Sequence, residues 1–154
     1  MSEYQATIEW RLETAEFSYA TYNRSHSWSF EGGIRVPARA APQNIPPTAP
    51  SAPGVDPEQA FVASLSSCHM LWFLHLAGTR KFKVTSYRDE AVGVLEKRAD
   101  GKEAMTRVTL RPVVSFEGAA PTPEQHAQLH EKAHERCFIA NSVTSEVAVE
   151  PRIA

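Results

Sequence analysis

Cysteine is scarce in this chain of 154 residues: there are two, Cys68 and Cys137. Two are too few to frame a disulfide-built secreted scaffold. Charge of one sign is missing too. Sixteen basic residues stand against 18 acidic ones with no basic run, which argues against electrostatic binding to nucleic acid or an anionic membrane. The start, Met1-Ser2-Glu3-Tyr4-Gln5, lacks a basic n-region and an apolar h-region, so no signal peptide is expected. A reducing cytoplasm is the expected location, and there a cysteine pair is more often metal-binding or catalytic than structural. Ala60 to Gly78 carries no Asp, Glu, Lys or Arg, but it holds Ser64, Ser66, Ser67, His69 and His75. A helix buried in a protein core fits that stretch better than a membrane span.

What is present begins with alternation. Tyr4, Ala6, Ile8 and Trp10 face one way and Gln5, Thr7, Glu9 and Arg11 the other, the pattern of a half-buried strand. Trp28 and Phe30 alternate with Ser27, Ser29 and Glu31, and Gly32-Gly33 turns the chain into Ile34 and Val36, which reads as a hairpin. Residues 37–57 hold seven of the 11 prolines and form an extended loop, too long to be a mere connector. It is read as a lid or as an arm lying on another surface.

Asp56-Pro57-Glu58-Gln59 is a helix start, with a capping Asp, Pro at the first helical position and Gln at the third. The helix should run to about Ala77, ended by Gly78. It is apolar nearly all round, so it should sit in the middle of the fold. Two β-rich runs follow, roughly 82–97 and 105–116, joined by a turn at Asp100-Gly101. Thr122-Pro123-Glu124-Gln125 opens a second helix that reaches about Cys137, and Val143 to Val149 alternates as a last strand. The predicted order is βββ-α-ββ-α-β in a single α+β domain, its sheets wrapping the apolar helix.

Each cysteine therefore lies on one of two helices. Phe61, Leu65, Cys68, Trp72 and His75 follow helical spacing, which places Cys68 on an apolar face. If the helices pack side by side, the thiols can meet. A thiol is a nucleophile only as thiolate, and apolar burial disfavours the thiolate. A reactive Cys68 therefore needs a fixed cation, and the helix start lies about three turns away.

Asp56-Pro57-Glu58-Gln59, Phe61, Ser66-Ser67-Cys68 and a second cysteine late in a C-terminal helix resemble the OsmC/Ohr family of osmotically induced and organic-hydroperoxide-resistance proteins. The resemblance covers essentially the whole chain. It implies an intertwined homodimer of thiol peroxidases with active sites at the subunit interface. Within it, Cys68 corresponds to the peroxidatic cysteine, Cys137 to the resolving one and Glu58 to the family glutamate. Arg24 is the best match to the thiolate-activating arginine, with Arg35 and Arg39 as alternatives. Phe138 follows Cys137 where family members often have proline. The implied reaction reduces an organic hydroperoxide to its alcohol through a Cys68 sulfenic acid and a Cys68–Cys137 disulfide. An external thiol, for which the resemblance suggests a dihydrolipoyl group, restores both, and no bound cofactor is needed. Apolar residues near Cys68 should favour hydrophobic peroxides over hydrogen peroxide.

Helix geometry bears on these roles independently. Ten helical residues span about 15 Å, so Glu58 cannot touch Cys68 of its own helix. It can act only by orienting the arginine, or on Cys68 of another subunit. Two other readings of the residues stand beside this one. His126, His130 and His134 recur every fourth residue with Cys137 on the same face, a possible metal site. The interleaved Gln125, Gln128, Glu131 and Lys132 instead mark these histidines as solvated. Alternatively, Phe61, Leu65, Trp72 and Phe73 line the pocket of a non-enzymatic small-molecule carrier.

Overall fold

The computed structural model describes residues 1–154. The chain forms two compact units, Met1–Ala60 and Phe61–Ala154.

The first unit is an antiparallel sheet of β1 (Thr7–Glu9), β2 (His26–Ser29) and β3 (Arg35–Ala38) in that order. The β2–β3 hairpin turns where expected, because Gly32 and Gly33 both take φ +77, which side chains with a Cβ resist. The first strand differs from its pattern: it is three residues long and exposed throughout, with Ile8 59% and Trp10 42% exposed. Alternation alone could not show that these 60 residues bury few large apolar groups of their own. The 37–57 segment is less open than its prolines suggest. Ala38 and Val55 form a parallel bridge, with Arg39 N donating to Val55 O at 3.0 Å.

Helix α1 runs from Pro57 to Thr79. Its start is the one expected: Asp56 Oδ1 accepts from Gln59 N at 2.8 Å, meeting one of the first turn's free N–H groups. Its end is not at Gly78. The chain leaves the helix through Lys81, at φ 63, with Phe82 N donating to Ala77 O and Lys81 N to Gly78 O, both at 3.0 Å. This is a Schellman closure with lysine in the left-handed position that glycine usually takes.

In the second unit the two predicted β runs each divide. The first becomes β4 (Lys83–Asp89) and β5 (Val92–Lys97), the second β6 (Glu103–Leu110) and β7 (Pro112–Glu117). Beyond helix α2 (Pro123–Arg136) come β8 (Glu146–Val149) and β9 (Arg152–Ile153). The order is therefore βββ-α-ββββ-α-ββ. The α+β class holds, with more strands than the sequence suggested because the breaks at Glu90-Ala91 and Arg111 carry no Gly signal. Two sheets result, β4-β7-β9 and β5-β6-β8, in which β9 joins β7 and β8 joins β6 in parallel.

One half of α1 lies against each sheet. Phe61, Val62 and Leu65 pack with Val108 and Leu110 of β6 and with Val147 and Val149 of β8. Gly93 of β5 has no room for a side chain, since a Cβ there would fall 2.5 Å from Val62 and 2.3 Å from Met105. Phe73, Leu76 and Ala77 pack with Leu129 and Ala133 of α2 and Val114 of β7. Length and hydropathy alone would let α1 cross a membrane; this packing is that of a core helix. The helix is not enclosed on all sides, however. Its buried residues are Leu65, His69, Phe73, Leu76 and Ala77, while Leu71 is 63% exposed.

Candidate active site

The open side of α1 forms one wall of an apolar cavity of about 510 Å³, lined by Ser64, Ser67, Cys68, Leu71, Trp72 and His75, with Phe138 and Ile139 opposite. Helical spacing brings residues 64, 68, 71, 72 and 75 to this side. Phe138 meets Trp72 edge-on, with centroids 5.5 Å apart, and Arg136 stacks over the same indole at 5.6 Å. Cys68 is half-buried at the cavity wall.

Cys137 is placed by the end of α2. Thr122 and Gln125 close a reciprocal capping box at the start of that helix. Cys137 is its C-cap and is 1% exposed. Its Sγ accepts from Ala140 N at 3.4 Å, and the Cys68 thiol is its titrating neighbour. Burial first, and the Cys68 contact second, push the Cys137 thiol up to about 11, so at neutral pH it keeps its proton. Both cysteines are free thiols. Residues 69 positions apart in sequence are thus neighbours.

Arg24 and Glu58 stand in the first unit. Arg24 is a buried residue. It precedes β2 in a loop, is 7% exposed, and donates to Tyr19 O at 3.0 Å and Tyr22 O at 3.1 Å. Its guanidinium also lies 4.0 Å from the Tyr22 ring centroid. Arg35 is exposed and donates to Ser27 Oγ, whereas Arg39 has a buried Nε without a partner. Glu58, second in α1 and ten positions before Cys68, has a buried Oε2 that is also without a partner.

The histidines correct an expectation. His126 and His130 are not solvated: they are 4% and 2% exposed and turn into the core. His130 Nδ1 lies 2.9 Å from His69 Nε2, and His130 Nε2 lies 3.3 Å from His126 Nε2. Both nitrogens of His130 are thereby engaged by other imidazoles. No three His, Cys, Asp or Glu side chains are arranged to hold a metal ion, and on this face His130 is turned toward His69 and His126. His69 escaped the sequence reading because its partner is 61 residues away. The only available signal was a polar residue within a buried apolar run.

A sequence profile of the OsmC-like protein family matches residues 50–152. The chain belongs to the OsmC-like family. An OsmC-like protein of unknown function from Vibrio cholerae is 48% identical, over 98% of this chain and 99% of that one, with a TM-score of 0.92. An organic hydroperoxide resistance protein from Elizabethkingia anophelis shares the fold at 17% identity and TM-score 0.65, over 100% of this chain and 96% of that one. The organic hydroperoxide resistance protein OhrB of Bacillus subtilis does so at 20% and 0.61, over 98% of each chain. No curated protein matches the sequence. Membership accounts for a mixed fold in which two helices carry the two thiols, and OsmC-like neighbours of this kind include proteins named for organic hydroperoxide resistance.

Proposed function

We propose that this OsmC-like protein is a thiol peroxidase that reduces organic hydroperoxides to alcohols. The observation that carries the reading is a pair of neighbouring free thiols, one opening on an apolar cavity and the other closed off from solvent. The Cys68 thiolate attacks the distal peroxide oxygen. The O–O bond breaks, the alkoxide leaves with a proton as the alcohol, and the sulfur is oxidised to a sulfenic acid. The Cys137 sulfur then attacks the Cys68 sulfur. The S–O bond breaks, and the departing hydroxide takes up the proton that Cys137 gave up, leaving as water. Cys137 attacks as the thiolate, so its high affinity for the proton slows this step at neutral pH, and the step quickens as pH rises. An external dithiol, for which a dihydrolipoyl group is the candidate, restores both thiols by exchange.

Leu71, Trp72, Phe138 and Ile139 suit an apolar peroxide better than hydrogen peroxide. Arg24, with two donors fixed on carbonyls, is a held cation with further N–H groups to offer. We assign it to the activation of Cys68 and Glu58 to its orientation, in a site completed by a homodimer. Apolar side chains exposed in the first unit, Ile8, Phe17 and Ile34 among them, support such an assembly.

Intact mass after one equivalent of cumene hydroperoxide tests the chemistry. The expected product has lost two hydrogens, and Cys137→Ser should instead gain one oxygen. An unchanged mass would overturn the reading. Alkylation of Cys68 at neutral pH tests the arginine: Arg24→Met should slow it about tenfold or more, while Arg35→Met and Arg39→Met should not. Loss of reactivity in either control alone would move the role to that residue. Light scattering giving a mass near 17 kDa at micromolar concentration would remove the dimer.

A further inference from the structure

Between the two thiol-bearing helices lies a buried row of imidazoles. His69, 1% exposed, comes directly after Cys68 on α1; His130 lies seven residues, about two turns, before Cys137 on α2. Their rings are nearly parallel, 6° apart in plane, with Nε2 of the first 2.9 Å from Nδ1 of the second. His130 also stacks on Phe73 at 4.2 Å and continues the row to His126. Every other core contact described between α1 and α2 is apolar, from Phe73, Leu76 and Ala77 to Leu129 and Ala133. Apolar contacts are non-directional and by themselves fix no single atom-to-atom distance between the helices. An imidazole–imidazole bond has one length and needs one N–H facing one lone pair.

We propose that the His69–His130 hydrogen bond sets the register of Cys68 against Cys137, making these two histidines positioning residues for disulfide formation. The proposal rests on the peroxidatic and resolving roles given to the two cysteines above. The bond has two self-consistent proton arrangements. Either His126 donates to His130 and His130 to His69, or the whole row points the other way; in both, every ring is neutral. A ring that gains a proton puts a charge in the core with no carboxylate to meet it, since none of the five ion pairs involves these residues. The groups facing the pair are His126 and His134 from α2, Phe73 from α1 and Tyr87 from β4, while Phe116 of β7 reaches only His126. Burial first, and neighbouring imidazoles second, push His69 down to about 4 and His130 to about 3. The register is therefore held at neutral pH and released in acid, when the row must open to hydrate its charge.

The test separates the two chemical steps in the full-length protein. After one equivalent of cumene hydroperoxide, the sulfenic acid is trapped with dimedone and the disulfide is counted by intact mass. In wild type the disulfide should dominate at pH 7, with the dimedone adduct rising as pH falls below about 5. In His130→Phe the adduct should already dominate at pH 7, the disulfide step slowing about tenfold to a hundredfold, as a misplacement near 1 Å does. His69→Leu/His130→Phe removes both partners together, so neither atom of that bond is stranded and only His126 Nε2 loses its neighbour. This variant should show the same slow step with only the smooth decline toward acid that thiol ionisation imposes, and without the further loss below about pH 5 expected of wild type, a profile that mere loosening of the core would not produce. A wild-type rate and a wild-type pH profile in the double variant would overturn the proposal. Neither adduct nor disulfide in wild type would instead overturn the peroxidase reading, and the proposal with it.

Discussion

On one side of α1, Leu65, His69, Phe73, Leu76 and Ala77 are closed off from solvent by α2 and two sheets. On the other, Cys68, Leu71, Trp72 and His75 border an open cavity, with Leu71 63% exposed. Both sides are rich in apolar residues, so hydropathy along the helix cannot tell core from cavity. What separates them is the supply of partners. The sheets and the single helix α2 cover one side, and the segment Phe138–Ile139 covers only part of the other. One face of α1 therefore holds the fold together, and the proposed chemistry belongs to the other.

Cys68→Ser gives the sharpest test of that division. Hydroperoxide consumption should fall to background while the free energy of unfolding in urea stays within about 0.5 kcal/mol of wild type, as for other substitutions outside a closed core. Activity that survives would favour the carrier reading. Phe73→Ala should do the reverse, costing about 3–5 kcal/mol of stability, a large share of what a domain of this size possesses. Leu71→Ala is its partner measurement. A cost below about 0.5 kcal/mol is expected for the isolated chain; a cost that grows with protein concentration would show that a second copy covers the open face.

Acid should act on the closed side. His69 and His130 bind a proton near 6.5 when unfolded and near 4 and 3 when folded. The unfolded chain therefore holds more protons between those values, and the stability that these groups contribute is full above about 6.5 and declines as pH falls toward 4. Urea midpoints at pH 7.5, 5.5 and 4.5 should drop by an amount that His69→Leu/His130→Phe reduces. An equal drop in the double variant would place the acid sensitivity elsewhere. The smallest expected effect lies at the cavity rim. Phe138→Ala removes the ring against Trp72, and KM for cumene hydroperoxide should rise about fivefold with kcat little changed, the scale of one lost apolar contact. An unchanged KM would mean that substrate does not lie along Phe138.

Local chemistry was legible where it is written in neighbouring residues. Asp56 with Gln59 and Thr122 with Gln125 announce both helix starts, and Gly32-Gly33 and Asp100-Gly101 announce their turns. Two helices each bearing a cysteine were readable too. The meeting of Cys68 with Cys137, and of His69 with His130, depends on how α1 packs on α2, which no local spacing encodes. The histidines of α2 misled because their glutamine, glutamate and lysine neighbours are polar; the imidazoles themselves face inward, where each polar edge of His130 finds another ring. Lys81 could close α1 in place of Gly78 because the positive φ costs a non-glycine residue only about 1–2 kcal/mol, which the packing of the helix end outweighs.

The parallel pairing of β8 on β6 and of β9 on β7 has a consequence for biosynthesis. Arg107 waits for Glu146, roughly 40 residues later, and Val113 for Arg152. The β5–β6 and β4–β7 pairs can form as soon as they are made, but neither sheet is finished until residues 146–153 have been added. At about 5–20 residues per second on the ribosome, β6 keeps an unpaired edge for about two to eight seconds. Over that interval the nascent chain displays Val108 and Leu110 beside open backbone, a surface suited to chaperone capture or to pairing with another nascent chain.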